Sequence, residues 1–542
     1  MRKTAMIILL IISAAICHAQ NAYDALLFSE NNYEGTARTM AMGNAFTALG
    51  GDLGAVGINP AGSAVANYSQ ITLTPALSFA ASTTKGISPY NDGYLPYFEN
   101  QMRSSLTRFS MPNLGVSINY DTHRASGLKR ISFGFTVNKT AAWDEDVYAA
   151  GTNSTTSFMG ALAYEASQTG ITAAELGSED SYWTYPHWSH IVGYQSGMIS
   201  PYDYDDQYVG ASEVIYDNGT IALGGPLEQA YGRRKEGGKH DYIFNIGANI
   251  SDFIYIGANF GVTSIEYSNQ WYFKEAAVDP SDFEIEYEDG SRTCFKDMKY
   301  ETSYTVMGTG YYGKFGIILT PGAGIRIGAA IQTPTITNIS EDWQEAGTTT
   351  FSDTYYQAVS PTDPVSYQIV SPFRANFGLA YTLGQFGLIS ADYEVCDYSQ
   401  MKFKVRFSDD SYYYDEANAN IKEWFGASHM FRAGLEIKPL SALSVRAGYG
   451  LTTSPDIFYD QFGKRLPASM THNASLGLGY SSKGSFFADF AVRKTFLPNE
   501  RLMPYPDYIM DENGNIAENG YAPEILIRKS LWKAILTFGW RF

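Results

Sequence analysis

Alternation of apolar with small or polar residues, sustained over segments of about ten residues, is the feature that most constrains this chain. In one segment, Tyr242, Phe244, Ile246, Ala248 and Ile250 alternate with Ile243, Asn245, Gly247 and Asn249. The same period of two recurs over residues 254–263 and 323–332. A period of two predicts strands with one apolar face. The second face is small and polar, with an occasional Arg, which suits a lumen better than a packed soluble core.

Fourteen segments of this kind follow one another along the chain. They cover residues 68–80, 112–121, 128–140, 240–251, 253–267, 301–319, 322–335, 365–383, 386–399, 427–438, 442–451, 469–481, 485–496 and 530–542. Bacterial outer-membrane barrels have an even number of antiparallel strands. The predicted fold class is therefore an all-β membrane protein, an antiparallel outer-membrane barrel of about fourteen strands.

The connections between these segments alternate in length. Short turns at residues 251–252, 320–321, 384–385, 439–441 and 482–484 separate long polar loops. A membrane barrel predicts this alternation, with short periplasmic turns and long extracellular loops. The largest predicted outer loop, residues 141–239, has helical spacing at 156–167 and a capping-box pattern at 172–175.

Composition favours the membrane barrel over a secreted sandwich or propeller, which is the soluble alternative. Aromatic residues make up 15% of the chain, although its mean hydropathy is only -0.20. After residue 20, no apolar run reaches the eighteen or so residues that a membrane helix needs.

Residues 1–19 are predicted to be a signal peptide. Arg2 and Lys3 form its positive start, an apolar stretch covers residues 5–16, and Cys17-His18-Ala19 offers small residues at the positions that the peptidase reads. Lipidation of Cys17 is an alternative that the bulky Ile16 disfavours. Cleavage leaves Cys294 and Cys396, predicted to lie in an outer loop and on a strand, so a disulfide between them is not expected.

Residues 20–67 are predicted to form an N-terminal plug inside a barrel made by residues 68–542. Residues 34–62 are rich in Gly and Ala and almost free of charge. Helix formers at 37–48 are interrupted by Gly43, and the four glycines between 50 and 57 exclude a regular helix or strand interior. The run Asn59-Pro60-Ala61-Gly62 is a turn signature, because Pro60 fixes its own φ and Gly62 permits a reversal.

The run GTAR-x-MAMG-x-AF-x-ALG-x-D, which ends in NPAG, resembles the start of the FadL-type outer-membrane transporters. The resemblance returns weakly at residues 328–334, 371–381 and 431–450, and it does not extend to the long central loops. That family carries long-chain fatty acids and other hydrophobic molecules and includes toluene channels. By resemblance, ligand would be captured among the outer loops, reach a pocket in the barrel and leave sideways through an opening made by a kinked strand near the plug.

The resemblance also implies roles for individual residues, none of them catalytic. Asn59, Pro60, Ala61 and Gly62 would hold the plug conformation. Gly35, Arg38 and Gly43 would support it.

The chain ends on an aromatic-faced strand that includes Phe538, Trp540 and Phe542. A last strand with a terminal Phe resembles the signal that the outer-membrane barrel assembly machinery reads. These three residues are therefore the predicted assembly signal.

The net charge of the chain limits the classes of partner that it can bind. The formal net charge of -18 argues against nucleic acid. The expected partners are a hydrophobic small molecule, outer-membrane lipid and lipopolysaccharide, and the assembly machinery, with the protein itself a monomer. Acidic Tyr/Asp loops could also bind divalent cations.

Enzymatic motifs are not found in the sequence, which shows neither a nucleophile elbow nor a Walker-type loop. We therefore expect no enzyme activity, no cofactor and no metal site. Residues 511–516 resemble a calcium loop but have Ile516 where Gly is required. His187 and His190 in an aromatic loop leave a haem or porphyrin receptor open as an alternative, and a barrel-anchored surface adhesin is another.

Overall fold

The computed structural model describes residues 21–87, 98, 100–216, 220–286, 290–406, 411–460, 462–482, 484–509 and 520–542. The predicted signal peptide and the calcium-like loop at 511–516 lie outside these residues. Within them, no helix is both long and apolar enough to cross a bilayer.

Strands dominate the described residues. They are β1 (Gln70–Ile87), β2 (Met102–Asp121), β3 (Leu128–Ala142), β4 (Glu145–Asn153), β5 (Ile199–Tyr202), β6 (Tyr204–Gly210), β7 (Glu213–Ile215), β8 (Ile221–Leu223), β9 (Leu227–Ile250), β10 (Ile254–Ala277), β11 (Glu284–Glu286), β12 (Arg292–Gly322), β13 (Ile325–Gln332), β14 (Ile336–Phe351), β15 (Tyr355–Val359), β16 (Asp363–Val370), β17 (Arg374–Thr382), β18 (Gly387–Asp397), β19 (Lys402–Lys404), β20 (Ala427–Leu440), β21 (Leu443–Thr453), β22 (Met470–Ser481), β23 (Phe486–Phe496), β24 (Glu500–Leu502) and β25 (Glu524–Arg541).

Fourteen of the described strands form a closed antiparallel barrel. In order around the wall they are β1, β2, β3, β9, β10, β12, β13, β17, β18, β20, β21, β22, β23 and β25. The barrel closes because β25 pairs with β1, which places Phe538 opposite Leu73. Each of the fourteen predicted segments overlaps one of these strands, and segment 365–383 also covers most of β16, so the predicted fold class is confirmed.

The outer surface of the wall is an apolar belt. Large hydrophobic side chains on neighbouring strands are exposed there, among them Phe133, Phe244, Ile256, Phe260, Phe315, Phe377, Phe431 and Leu476. Their partners on the opposite face, such as Asn245 and Asn259, are buried. A closed barrel with this belt satisfies its backbone internally and is the architecture of outer-membrane proteins.

The wall extends further outward than the alternation predicts. The predicted outer loop 141–239 is shortened at both ends, because β4 pairs with residues 227–235 of β9, while Ala141 and Ala142 of β3 pair with Lys239 and Gly238. β12 likewise begins at Arg292, which places Cys294 on a strand rather than in a loop. Above the belt the outward face no longer needs to be apolar, so the sequence signal stops while interstrand hydrogen bonding continues.

Seven α-helices lie among the described residues. They are α1 (Ala22–Ser29), α2 (Ala37–Ala41), α3 (Phe158–Thr169), α4 (Ala173–Leu176), α5 (Ser181–Thr184), α6 (Trp188–Gln195) and α7 (Asp415–Trp424). Short 3₁₀ helices cover Leu53–Ala55, Pro60–Val65, Pro280–Phe283, Tyr398–Gln400 and Ser411–Tyr414. α3 confirms the predicted loop helix, and Thr172 and Glu175 form the predicted capping box. α2 is shorter than the helix formers at 37–48 suggest, because Gly43 and Asn44 both adopt positive φ.

Outer-loop helices share a hydrophobic cluster with the outer end of the wall. Phe158 of α3 packs on Phe273 of β10, with ring centroids 5.6 Å apart, and on Tyr300 of β12. Trp188 and Ile191 of α6 belong to the same buried cluster. These helices therefore pack against the inner face of the barrel at its extracellular end.

The N-terminal segment, residues 21–67, packs against the inward face of the wall. Inward glycines of eight strands lie against it: Gly247, Gly257, Gly316, Gly328, Gly378, Gly434, Gly448 and Gly477. A Cβ at Gly316 would overlap the side chain of Asn59, and one at Gly448 would overlap the backbone at Gly43. The small residues of the wall thus allow backbone to approach backbone across the lumen.

Candidate functional site: the lumen and the β2–β3 seam

Asn59 fastens the NPAG turn to the wall. Its side-chain oxygen accepts a hydrogen bond from the Ala61 N–H at 3.0 Å, which caps the 3₁₀ helix that begins at Pro60. Its amide nitrogen donates to the Thr47 carbonyl at 2.6 Å and to the Ile317 carbonyl of β12 at 3.2 Å. Asn59 is fully buried. One side chain therefore joins the turn, the preceding loop and the barrel.

The rest of the turn is equally enclosed. The Pro60 carbonyl accepts from the Asn245 amide of β9 at 3.0 Å. The Gly62 carbonyl accepts from the Gly51 N–H at 2.8 Å, and the Gly62 Cα lies so close to Gly50 that a side chain at position 50 has no room. Ala61 is completely buried.

Arg38 is the charged residue among the predicted supports. Its guanidinium donates two hydrogen bonds to Glu436 of β20, at 2.9 and 3.3 Å. Glu436 also accepts from Arg446 of β21, which continues to Asp489 of β23. Arg38 thus connects the N-terminal segment to a charge network that spans three wall strands.

Gly35 and Gly43 occupy positions of close approach. Gly35 packs against Gly54 and Thr39 within the N-terminal segment. Gly43 has a φ of 63°, and its Cα faces the backbone of Tyr449 and Ala433. An L-residue at Gly43 would meet both a strained conformation and the wall.

A second buried charge cluster surrounds Tyr33 and was not predicted. The Arg432 guanidinium and the Lys314 ammonium each lie 5.4 Å from the centre of its ring. Glu394 of β18 lies 3.4 Å from the Tyr33 hydroxyl and is paired with Arg374. The signal for this cluster is the presence of charged residues at inward positions of otherwise apolar or small-residue strands.

Asp392 is a third unpredicted anchor. Its carboxylate accepts from both the backbone N–H and the hydroxyl of Thr47, each at 2.7 Å. It is buried, and the Arg432 guanidinium lies 3.8 Å away. The N-terminal segment is therefore held by β18 as well as by β20.

Among the described strand pairings, the wall has a seam where β2 separates from β3. β2 pairs with β1 as far as Met102, but among the described residues its pairing with β3 extends only from Asp121 to Asn113. Pro112, the next residue of β2, has no N–H to donate. β3 is itself irregular at this height, with a register shift against β9 between Lys139 and Ala141.

The N-terminal segment fills the edge of β3 at this seam. The Glu34 N–H donates to the Lys139 carbonyl at 2.9 Å, and the Asn32 N–H donates to the Thr140 carbonyl at 2.6 Å. The Glu34 carboxylate also forms an ion pair with Lys533 of β25, and both side chains are 5% exposed. Residues 32–34 thus supply the hydrogen bonds that β2 no longer provides.

Arg108 of β2 bridges the upper part of the seam. Its guanidinium contacts Glu236 of β9 and lies 3.9 Å from Asp144, the residue that precedes β4. Higher still, the Ser104 hydroxyl donates to the Asp146 carbonyl of β4 at 2.6 Å. Side chains rather than a backbone ladder therefore join β2 to β4.

Helix α1 lies in the lumen with its C-terminal end against two buried cations. Lys239 of β9 donates to the carbonyls of Phe28 and Glu30. Arg374 of β17 donates to the Ser29 carbonyl at 2.5 Å. These carbonyls have no partner within the helix, so the cations complete its C-terminus. A small polar cavity lies beside this contact, lined in part by Lys239, Asp241, Tyr312 and Arg374.

The N-terminal end of α1 packs under helix α7. Asn21 caps α1 in a capping box with Asp24. Tyr23 packs edge-on against Phe425, with ring centroids 5.3 Å apart. Burial, together with the nearby Glu341 carboxylate, raises the pKa of Asp24 to about 7.

The C-terminal strand closes the barrel at its periplasmic end. The Phe542 N–H donates to the Ser69 carbonyl at 2.9 Å, and its own carbonyl accepts from Ser69 at 3.0 Å. Trp540 and Phe542 are exposed on the outer surface, whereas Phe538 is half-buried. Their predicted role as an assembly signal stays a prediction.

His187 and His190 stack with ring centroids 5.1 Å apart. His190 is buried, and its Nε2 lies 4.0 Å from Glu165. The described residues contain no group of His, Cys, Asp or Glu side chains arranged to hold a metal ion. In the same part of the chain Cys294 and Cys396 are not disulfide-bonded. The haem or porphyrin receptor stays an alternative prediction.

Comparison with known proteins gives a match of fold. No family model matches the sequence, and no curated protein matches it. Among solved structures, the chain is similar to a Pseudomonas aeruginosa FadL homologue at 10% identity and a TM-score of 0.51, covering 95% of this chain and 100% of that one. It is also similar to the Pseudomonas putida toluene transporter TodX at 11% identity and a TM-score of 0.47, covering 94% and 99% of the two chains.

The fold match agrees with the barrel geometry described above and with the resemblance carried by the run at residues 35–62. The chain is an outer-membrane β-barrel with the FadL-type fold.

Proposed function

We propose that this protein carries hydrophobic molecules passively across the outer membrane. The lipopolysaccharide leaflet is a barrier to such molecules, and a water-filled pore does not solvate them. Molecules enter among the outer-loop helices, pass through the lumen beside α1 and leave sideways through the β2–β3 seam into the membrane. Support comes from the fold and from the fact that this seam alone is closed by the N-terminal segment among the described strand pairings.

The N-terminal segment is the gate in this proposal. Exposed backbone groups are costly in a bilayer, so an unfilled β3 edge would be unfavourable there. Asn32 and Glu34 fill that edge with two backbone hydrogen bonds, and their side chains contact Arg493 and Lys533. Withdrawal of a short stretch is therefore sufficient to open the seam, while the Asn59 turn stays fastened to β12.

Long-chain fatty acids are the proposed substrate class. Lys239 and Arg374 are buried cations at the lumen cavity, and they bind the carbonyls at the end of α1. If α1 withdraws, these two side chains can donate hydrogen bonds to a carboxylate instead of to the helix terminus. The acyl chain then lies along the apolar cluster that α1 vacates. A neutral hydrocarbon has no group that these two cations could bind, so they would not strengthen its binding.

Uptake measurements test both levels of the proposal. Cells of a Gram-negative host that lacks its own fatty-acid transporter would produce either this protein or no barrel, and radiolabelled oleate and toluene would be followed. We expect the protein to raise entry of both compounds. The double variant Lys239→Met/Arg374→Met should lower oleate entry and leave toluene entry unchanged, with folded barrel verified by heat-modifiable migration.

Two outcomes would contradict the proposal at different levels. If neither compound enters faster than in cells without the protein, the transport function is wrong. If the double variant carries oleate as well as the unmodified protein does, only the fatty-acid assignment fails.

A barrel-anchored adhesin is the second candidate, and one observation favours it. The lumen is occupied by α1, by the rest of the N-terminal segment and by outer-loop helices, and the cavity beside Lys239 is small. An adhesin needs the outer loops and no passage. Failure of uptake together with cell-surface binding that depends on residues 154–226 would support this candidate.

A further inference from the structure

Three basic side chains form a patch on the outside of the barrel wall, near its extracellular end. Arg103 of β2 and Arg528 of β25 are both register partners of Thr83 on the intervening β1. Lys85 lies two residues further along β1, on the same face as Thr83. Neighbouring strands are about 4.8 Å apart, so the two arginines start roughly 10 Å from each other. We call Lys85, Arg103 and Arg528 the basic face.

The height of the basic face matches the upper edge of the membrane. Trp540, opposite Ile71, is exposed at the periplasmic end, and Thr83 lies twelve residues above Ile71. At about 3.3 Å per residue and a tilt near 40°, this is roughly 30 Å of height, against an apolar band of about 25 Å. The basic face therefore lies just outside the hydrocarbon.

Apolar side chains continue directly below the basic face. Leu77 and Phe79 on β1, Trp532 on β25 and Phe109 on β2 are all exposed on the same outer surface. Lys494 of β23 lies 4.9 Å from the centre of the Trp532 ring. A ligand that covers this surface must therefore combine anionic groups above with hydrocarbon below.

The cations of the basic face are available to such a ligand. All three side chains are exposed, and within the described part of the chain none of them forms an ion pair. The adjacent Arg501, by contrast, pairs with Glu524 at 3.2 Å. This local excess of positive charge stands on a protein whose formal net charge is -18.

We propose that the basic face binds the phosphate groups of the phosphorylated glycolipid of the outer leaflet, lipid A. Arg binds phosphate through two parallel N–H donors, and the two arginines flank Thr83, two residues from Lys85, at the right height to do so. The acyl chains lie along Leu77, Phe79 and Trp532. Because Phe109 and Arg103 belong to the part of β2 that pairs with β1 but not with β3, the bound lipid lies beside the seam.

Binding of defined lipids tests the assignment. The full-length protein in detergent would be titrated with bisphosphorylated lipid A, with dephosphorylated lipid A and with an anionic phospholipid. We expect bisphosphorylated lipid A to bind at least tenfold more tightly than the other two. Inorganic phosphate alone should compete only weakly, since it lacks the acyl chains.

A triple variant and a matched control complete the test. Lys85→Ala/Arg103→Ala/Arg528→Ala should weaken binding of bisphosphorylated lipid A at least tenfold. Lys402→Ala/Lys404→Ala/Lys464→Ala removes the same charge from other exposed positions and should change it less than twofold. If the triple variant does not fold, Arg103→Gln and Arg528→Gln measured singly should each weaken binding several-fold.

Several results would overturn the proposal. Equal binding by the triple variant and the control would remove the role of these three residues. Equal binding of dephosphorylated lipid A would show an acyl-chain contact only. Equal binding of the anionic phospholipid would show a nonspecific charge effect.

Discussion

Replacement of Glu34 by Gln is the perturbation that bears most directly on the contact at the seam. Glu34 forms a buried ion pair with Lys533, and its backbone N–H donates to β3. Burial opposes ionisation of Glu34, but the charge of Lys533, with that of Lys139 and Arg493, outweighs it and lowers the pKa of the carboxyl. Glu34→Gln keeps the shape of the side chain and leaves Lys533 buried without its counter-charge.

The expected loss of docking free energy follows from the burial of the Glu34–Lys533 ion pair. Removal of one partner of a buried ion pair costs about 3–5 kcal/mol. At about 1.4 kcal/mol per tenfold, this raises the fraction of molecules with residues 32–34 undocked by roughly 10²- to 10⁴-fold. The strand ladder closes on itself without this segment, so the wall should keep its stability.

Hydrogen exchange in lipid nanodiscs measures this fraction directly. Amides of residues 32–34 should exchange faster in the variant by the factor above, whereas amides of β21 and β22 should be unchanged. Glu301→Gln is the matched control, because its pair with Lys299 is 39–46% exposed and such pairs contribute little. It should leave the exchange of residues 32–34 as it is.

A double replacement tests whether the uncompensated charge of Lys533 causes the loss of docking. Glu34→Gln/Lys533→Met removes both charges, and it should recover most of the protection because the uncompensated ammonium is gone. If Glu34→Gln alone leaves exchange at residues 32–34 within threefold of the unmodified protein, the ion pair does not hold the segment at the seam and the reasoning is refuted.

Three further predictions concern other parts of the N-terminal segment and the last strand. The pKa of about 7 for Asp24 lies above that of an exposed Asp, about 3.9. Docking of α1 should therefore weaken as the pH rises from about 4 to 7. Hydrogen exchange of the α1 amides should show this pH dependence, and Asp24→Asn should remove it. Asn59→Ala/Pro60→Ala should loosen the turn, change the rate of fatty-acid uptake and increase leak of small polar antibiotics; unchanged uptake and sensitivity at normal surface levels would contradict a gating role. Deletion of Phe542 should reduce the amount of folded barrel far more than the amount synthesised, and equal folded amounts would exclude it as an assembly signal.

The wall could be predicted from sequence because lipid imposes a simple rule. Every outward residue within the belt must be apolar, so Tyr242, Phe244 and Ile246 mark one strand without any knowledge of its neighbours. Above the belt the rule no longer applies. Residues 227–239 continue β9 but carry charges on both faces, and the alternation gives no sign of them.

The position of the N-terminal segment could be predicted only in part. Its Gly and Ala content indicates close packing, and Asn59-Pro60 indicates a turn. The anchors could not be predicted, because Asp392, Arg432 and Glu436 come from distant strands and meet only after closure. Helix α1 does carry a local signal, which is the capping-box pattern of Asn21 and Asp24 before an apolar run.

The seam was beyond sequence analysis for a different reason. It depends on the residue at which the pairing of β2 with β3 stops, and the pattern of a single sequence does not show which residues of two strands are paired. Pro112 is a sign that a ladder hydrogen bond is missing, but Pro75 and Pro334 give the same sign elsewhere.

A reversible lock across the seam tests the central claim most directly. In a Cys294→Ser/Cys396→Ser background, Ser104→Cys/Asp146→Cys places thiols on β2 and β4, whose side chain and backbone already touch. A short bis-thiol reagent would join them, and reduction would release them. The control lock is Thr452→Cys/Thr471→Cys on the fully paired strands β21 and β22.

The measurement is the rate of oleate uptake by cells before locking, after locking and after reduction. The account predicts that the seam lock stops uptake, that reduction restores it, and that the control lock has no effect. Uptake that continues undiminished through a locked seam would contradict lateral exit between β2 and β3.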